Sequence, residues 1–240
     1  MSKLTGVLLA AGIGKRLGAG TTKALVEIEG KPLAHYAIDF LRAVGADEIK
    51  IIGGCDYEKL KEKVIGYDSE AEVIENPEYL KGNLYTLLKA LPKIENSFLI
   101  CNADHIYKKA IAEKVKNQLK GITAFCDFDR PLGDDDMKVE HESFILKKIS
   151  KKLDKFNGGY VGLTYCDIAM LNEYKNCIDE LLAQGEENLV VEDVVRKLSE
   201  SNEILIGDIS GHGWLEVDFP EELKNAKKII GENKKDFFGV

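Results

Sequence analysis

Histidine and cysteine are scarce in this sequence of 240 residues, four of the one and five of the other, and no two cysteines form a Cys-x-x-Cys pair. A zinc or His/Cys metal cluster therefore lacks ligands at a usable spacing. The odd, scattered set Cys55, Cys101, Cys126, Cys166 and Cys177 reads as reduced thiols, so a cytoplasmic protein is expected rather than a disulfide-framed one. Long apolar runs are missing too. The opening stretch turns to glycines and charges at Gly12–Arg16, too soon for a spanning helix, and no small-residue cleavage region follows. Neither a membrane anchor nor a signal peptide is expected. Positive charge is in deficit, with 33 Lys and Arg against 41 Asp and Glu and a net charge of −8. That balance argues against a nucleic-acid partner while leaving room for a local basic patch around a small anion.

What is there is the composition of a soluble globular protein, 45% apolar and 31% charged, long enough to fold without staples. No repeat, low-complexity tract or linker interrupts it. Short apolar runs alternate with amphipathic stretches, which predicts an α/β fold. Strands are expected at Leu4–Ala10, Glu48–Ile52, Glu72–Ile74 and Phe98–Cys101. Helices are expected at Leu33–Val44, closed by Gly45, at Tyr57–Ile65, and at Leu84–Leu91, halted by Pro92. The later part predicts strands at Ile122–Phe128, Phe144–Ile149, Gly159–Tyr165, Glu203–Ile206 and Trp214–Val217. Its helices are Ile168–Leu182, Val190–Leu198 and Pro220–Ile230. The expected organisation is one domain over residues 1–240, its second half (about 121–240) extending the sheet of the first (about 1–120).

The segment Leu9–Gly18, LAAGIGKRLG, is the most informative. A strand ending in small residues and glycines lets backbone N–H groups approach an anion, and phosphates suit such a nest. Lys15, Arg16 and Lys23 add three cations. In open α/β sheets ligands bind beyond the carboxyl ends of the strands, where this loop falls. The P-loop pattern fails here because no Gly-Lys-Ser/Thr follows. The dinucleotide fingerprint fails because its third glycine, Gly18, arrives one residue late.

Leu-Ala-Ala-Gly-x-Gly-x-Arg-Leu, followed by Lys23-Ala24-Leu25 and by Gly30-Lys31-Pro32-Leu33, resembles the start of nucleoside-diphosphate-sugar pyrophosphorylases and related nucleotidyltransferases. One departure is Thr22, where that family usually has proline. The resemblance implies a Rossmann-like, three-layer nucleotidyltransferase fold with a mainly parallel mixed sheet. It also implies nucleotide contacts at Leu9, Ala10, Ala11, Gly12, Gly14 and Lys15, with Arg16 and Lys23 as the catalytic cations.

Two acidic segments lie far apart in sequence. Cys101–His105 (CNADH) puts a carboxylate just past a strand end, and Trp214–Pro220 (WLEVDFP) puts Glu216 and Asp218 on one face of a strand. Two carboxylates suffice for Mg²⁺, which keeps phosphates and waters in its shell. An isolated Asp218 would read instead as the cap of the last helix. The resembling family holds Mg²⁺ with an acidic residue at each place, which implies Asp104 and Asp218 as ligands with Glu216 as an auxiliary.

Asn76–Ala90 resembles the base-binding segment of cytidylyltransferases that act on alcohol phosphates, which implies base contacts from Asn76, Gly82 and Asn83. The segments at 103–107, 134–139 and 149–157 are most like CTP:inositol-1-phosphate cytidylyltransferases. The expected partners are thus CTP and a phosphorylated small molecule, with a homodimer left open. Lys138, Lys152 and Gly159 are the candidates on the acceptor side. Residues 157–162 lack the acidic residue that inositol-type enzymes tend to carry nearby, so phosphocholine and other alcohol phosphates stay open as acceptors. So does a sugar-1-phosphate enzyme using UTP or dTTP. Tyr85, Tyr107, Phe156, Tyr160 and Trp214 could cage a choline, though their apolar neighbours favour core packing. A nucleotide-binding regulatory protein that has lost catalysis is the remaining reading, and the joint presence of Arg16, Lys23, Asp104 and Asp218 argues against it.

Overall fold

A computed structural model describes residues 3–18, 20–185 and 188–239. The strands in chain order are β1 (Leu4–Ala10), β2 (Glu27–Ile28), β3 (Lys31–Pro32), β4 (Glu48–Gly53), β5 (Glu72–Glu75), β6 (Ser97–Asn102), β7 (His105–Tyr107), β8 (Ile122–Asp127), β9 (Lys138–Glu142), β10 (Ile145–Ser150), β11 (Gly158–Cys166), β12 (Ile204–Asp208) and β13 (Trp214–Glu216). The helices are α1 (Leu33–Val44), α2 (Tyr57–Tyr67), α3 (Asn83–Ala90), α4 (Lys109–Lys116), α5 (Leu171–Ala183), α6 (Val191–Leu198) and α7 (Pro220–Glu232). Nine strands form one sheet in the order β5-β4-β1-β6-β11-β8-β12-β10-β9. β5, β4, β1 and β6 run parallel, β11 lies antiparallel between β6 and β8, and β8 and β12 are parallel again. β9 pairs with β10 and also, at Lys138 and Val139, with the start of β11, so the far end of the sheet turns back on its centre.

The alternation of β1 explains the three layers. Val7 and Leu9 face a core shared with α3, α5 and α6, whereas Leu8 and Ala10 face a second core shared with α1, α2 and α4. Every residue of β1 is buried, as expected of a strand covered on both sides. Helix α1 ends where the sequence says it must. Gly45 adopts φ 109°, and its N–H donates to the carbonyls of Leu41 and Arg42. Strands from both halves of the chain are hydrogen-bonded into this one sheet. Among the described residues no helix is long and apolar enough to cross a membrane.

Five elements escape the sequence reading: α4, β9, the two-residue strands β2 and β3, and β7, which is three residues long. The expected last strand is also placed differently. It ends at Glu216, and β13 pairs with β7 in a separate two-stranded sheet rather than joining the main one.

Candidate active site

The carboxyl end of β1 opens into a cavity of about 160 Å³, lined by Leu9, Ala10, Ala11 and Gly12, by Lys23 and Asp104, and by Gly82 and Asn83 at the start of α3. Among the described residues none accepts a hydrogen bond from the N–H groups of Gly12, Ile13 or Gly14, so these donors are available to an anion. Gly14 does not line the cavity. It sits at φ 65°, and a Cβ there would press on the side chain of Lys23, so its role is to let the loop close over that lysine. Thr22 is fully buried, and its hydroxyl donates to the carbonyls of Ala10 and Gly12 at 3.2 and 2.8 Å. Its N–H donates to Asp56, which also accepts from Thr21. A proline at 22 could make neither of these bonds, so side-chain bonds here replace the stiffness of a ring.

The small sheet is what joins the two acidic segments. Glu216 pairs with His105, and one residue on, the N–H of Val217 donates to the carbonyl of Asp104 at 2.9 Å. Asp218 therefore arrives beside Asp104, and the Lys23 ammonium contacts both carboxylates, lying 2.8 Å from Asp104 Oδ2 and touching Asp218 Oδ1. Asp104 also holds His105 Nδ1 at 2.7 Å. Burial alone would raise the Asp104 carboxyl, but His105 and Lys23 override it and hold it well below the usual carboxylate range. Burial lowers His105, and Asp104 more than compensates, so the imidazole is raised. Arg16 reaches Asp218 at 3.3 Å and lies over the Phe219 ring. Lys15 is exposed.

One expectation about this region is corrected: Asp218 lies past the end of β13 and so does not share a strand face with Glu216. Glu222 caps α7, accepting from the N–H groups of Asp218 and Phe219 at 2.7 and 3.1 Å. Glu216 pairs with Arg130 at 3.7 Å, and no three acidic, His or Cys side chains converge as a metal set among the described residues. The donor set that remains, two carboxylate groups converging on one cation, suits a hard divalent ion, and the Lys23 ammonium marks where positive charge sits between them.

A second cavity, of about 200 Å³, shares Asn83, Asn102 and Asp104 with the first and continues past His105, Tyr160, Glu192, Trp214 and Glu216. A bulge in β11 places Gly162 beneath it at φ 72°. A Cβ there would stand 2.9 Å from Asn102 and 3.0 Å from His105, so glycine clears the floor. A third cavity lies beyond Asp135, Asp136 and Lys151, and Arg16 and Asp218 line it.

The expected acceptor residues are elsewhere. Lys138 is buried with its ammonium on the Lys151 carbonyl at 2.9 Å, Lys152 is exposed, and Gly159 is packed against Leu132. Lys151 is the lysine that lines the second cavity. Asn76 is likewise displaced: it is fully buried, donating to Thr86 and accepting from the Glu78 N–H, so it braces the approach to α3. Gly82 is glycine because a Cβ would stand 2.5 Å from the Leu189 carbonyl, and Asn83 accepts from the Val191 N–H. Asn102, His105, Lys151, Glu192 and Arg130 also line these cavities; the first two flank Asp104 within CNADH and Lys151 lies in the segment 149–157, whereas Glu192 and Arg130 carry no local motif. Of the rings named for a choline cage, Trp214 already carries His105, stacked at 4.9 Å, and the Arg130 guanidinium at 4.4 Å, while Tyr107 and Tyr160 are buried.

A three-layer α/β sheet with an anion loop after its first strand and a paired-acid notch beside it is a nucleotidyltransferase architecture. The match of residues 6–131 to the MobA-like NTP transferase domain shows that the chain belongs to that family. It is 31% identical over 94% of its length to a "Bifunctional IPC transferase and DIPP synthase" of Aquifex aeolicus, of which it covers 51%. It thus spans about half the length of that relative. It is 25% identical to the choline-phosphate cytidylyltransferase of Streptococcus pneumoniae, covering 93% of this chain and 97% of the other. The inositol-1-phosphate CTP transferase structure from T. maritima superposes with a TM-score of 0.82 at 22% identity, covering 99% of this chain and 97% of that one, which establishes the shared fold.

Proposed function

We propose that this chain transfers the cytidylyl group of CTP to an alcohol phosphate, with inositol 1-phosphate as the acceptor, and releases pyrophosphate. The observation that carries the reading is the placement of Asp104. It lines both cavities and, with Asp218, grips Lys23 where the two hollows meet. A nucleotide seated on the loop Ala11–Gly12 brings its α-phosphate to that junction, and an acceptor in the second cavity approaches it from the other side. The similarity to a choline-phosphate cytidylyltransferase supports a cytidine nucleotide and a phosphorylated acceptor.

The chemistry follows from charge. An acceptor phosphate has its second pKa near 6, so it is largely a dianion at neutral pH and needs no general base. One of its oxygens attacks the α-phosphorus, and the bond from that phosphorus to the bridging oxygen of the β-phosphate breaks, expelling pyrophosphate. The difficulty is repulsion between two anions, so positioning and fixed positive charge are the tools. Lys23 neutralises the α-phosphate, and Arg16 and Lys15 stand on the side where pyrophosphate leaves. Asp104 and Asp218 would hold Mg²⁺, which supplies Lewis-acid neutralisation of the phosphates when bound. The test is a matrix of CTP, UTP, dTTP and ATP against inositol 1-phosphate, phosphocholine, phosphoethanolamine and glucose 1-phosphate, read by pyrophosphate release with Mg²⁺ and with EDTA. CTP with inositol 1-phosphate gives the highest kcat/KM, and EDTA abolishes it. A preference for UTP or dTTP with the hexose phosphate overturns the reading.

A further inference from the structure

One wall of the second cavity is unused by the chemistry above. Glu192, near the start of α6, lines that cavity and is only 8% exposed. Its neighbours are all accounted for. Val191, Val194, Val195 and Leu198 enter the apolar core. Asp193 accepts from the Val190 N–H at 2.8 Å and pairs with Arg196 at 2.7 Å. Asn83 accepts from the Val191 N–H. Among the described residues no other residue gives the Glu192 carboxyl a hydrogen bond or an ion pair. Its own backbone N–H is the one donor it has among them, and a carboxyl group withdrawn from water with a single such bond keeps acceptor capacity that folded proteins usually match. Here the open side is the cavity, so the partner arrives with what fills it.

We propose that Glu192 is a specificity-determining residue of the acceptor site, whose carboxyl group pairs with a hydroxyl on the carbon skeleton of the alcohol phosphate. This rests on the function proposed above. Glu192 lines the second cavity alone, whereas Asn83, Asn102 and Asp104 line its junction with the first. The phosphate of the acceptor must reach that junction to react, which leaves the rest of the molecule to Glu192. A hydroxyl suits the group in either protonation state, because it donates to a carboxylate and accepts from a carboxylic acid. That matters because burial pushes the Glu192 carboxyl up, with Asp193 adding to the rise and His105 and Lys151 opposing it. A trimethylammonium group offers no hydrogen-bond donor, and the indole that could receive it, Trp214, already carries His105 and Arg130.

The experiment is steady-state kinetics of the full chain and of Glu192→Gln and Glu192→Ala, with CTP and either inositol 1-phosphate, phosphoethanolamine or phosphocholine. The expected result for Glu192→Ala is an acceptor KM for inositol 1-phosphate raised about 10- to 100-fold. The KM for CTP should move less than about threefold, and the preference for inositol 1-phosphate over phosphocholine should shrink by the same factor as the acceptor KM rises. Glu192→Gln, which keeps the shape and an acceptor oxygen, should fall between the two and carries the test if the alanine variant melts below the assay temperature. An unchanged acceptor KM in both variants overturns the proposal while leaving the proposed function standing, as does a loss confined to kcat. A wild-type chain that prefers phosphoethanolamine or phosphocholine overturns the hydroxyl assignment. A wild-type chain that turns over none of the three with CTP overturns the functional reading itself.

Discussion

Lys23 touches the acids of both segments, and its removal has two separable consequences. The first is catalytic. Loss of one preorganised positive group at a phosphoryl centre costs about 10²–10³-fold in kcat, so Lys23→Ala should fall by that factor with CTP. A kcat within about threefold of wild type would show that the lysine is structural only. The second is electrostatic. Without its ammonium, Asp104 and Asp218 face each other with side chains only 22% and 19% exposed. Leaving these charges with only His105 and Arg16 beside them should lower stability by about 1–3 kcal/mol at pH 7, less than for a fully buried pair. Millimolar Mg²⁺ should then raise the melting temperature of Lys23→Ala more than that of wild type, read by thermal melts with and without the ion. Asp56 acts on the same loop through Thr21 and Thr22. Its hydrogen bond from Thr21, ahead of the opposing effect of burial, holds its carboxyl below the ordinary value. A depressed folded pKa gives stability above the unfolded value of about 3.9 that is lost as pH falls through the folded one. Asp56→Asn should therefore be destabilised at pH 7, by a margin that shrinks as pH falls below the unfolded value of about 3.9, read by urea titrations.

At the scale of elements, legibility follows period. α1 and β1 read correctly because twelve residues at helical spacing and seven uninterrupted buried ones leave little choice. β7, three residues long, has no period to read, and β13 reads as a strand without showing its partner, yet their pairing is what unites Asp104 with Asp218. The acids themselves were visible as motifs, whereas their union was not. The lining of the second cavity was hidden for a similar reason. The lysine-dense stretch 147–155 offers several equal candidates, and only folding shows that Lys151 faces the cavity while Lys138 spends its charge on a carbonyl. Gly82 was legible through the resemblance, and the fold adds a packing reason for the glycine. It is needed because α3 starts against the backbone of Asn188 and Leu189, where Leu84 donates to Leu189 and Asn83 accepts from Val191. Gly82→Ala combines a positive φ with this clash. It should cost about 2–3 kcal/mol, measured by urea unfolding, and raise the KM for CTP and the acceptor together, since Asn83 of α3 lines both cavities.

For the whole molecule, the sheet decides whether the two halves of the chain fold as one unit. β6 of the first half is flanked by β1 and by β11 of the second, so no edge separates the halves. The cysteines report on this without added probes. Cys126, Cys166 and Cys177 lie in the core on one side of the sheet, and Cys101 in the core on the other. Burial pushes the Cys166 thiol up to about 12 and the Cys177 thiol to about 11, so neither offers thiolate to a disulfide reagent at pH 8. Cys55 is partly exposed but is also raised, by burial first and then by Asp56, which makes it a slow thiol. The native protein should therefore react at Cys55 alone, and slowly. As urea is raised, the other four should appear together at the midpoint seen by circular dichroism, because opening either core requires separating strands that belong to both halves. Release of Cys101 at a urea concentration clearly below that of Cys126 and Cys166, measured by quenched labelling and peptide mass, would mean that the halves melt separately despite their shared hydrogen bonds.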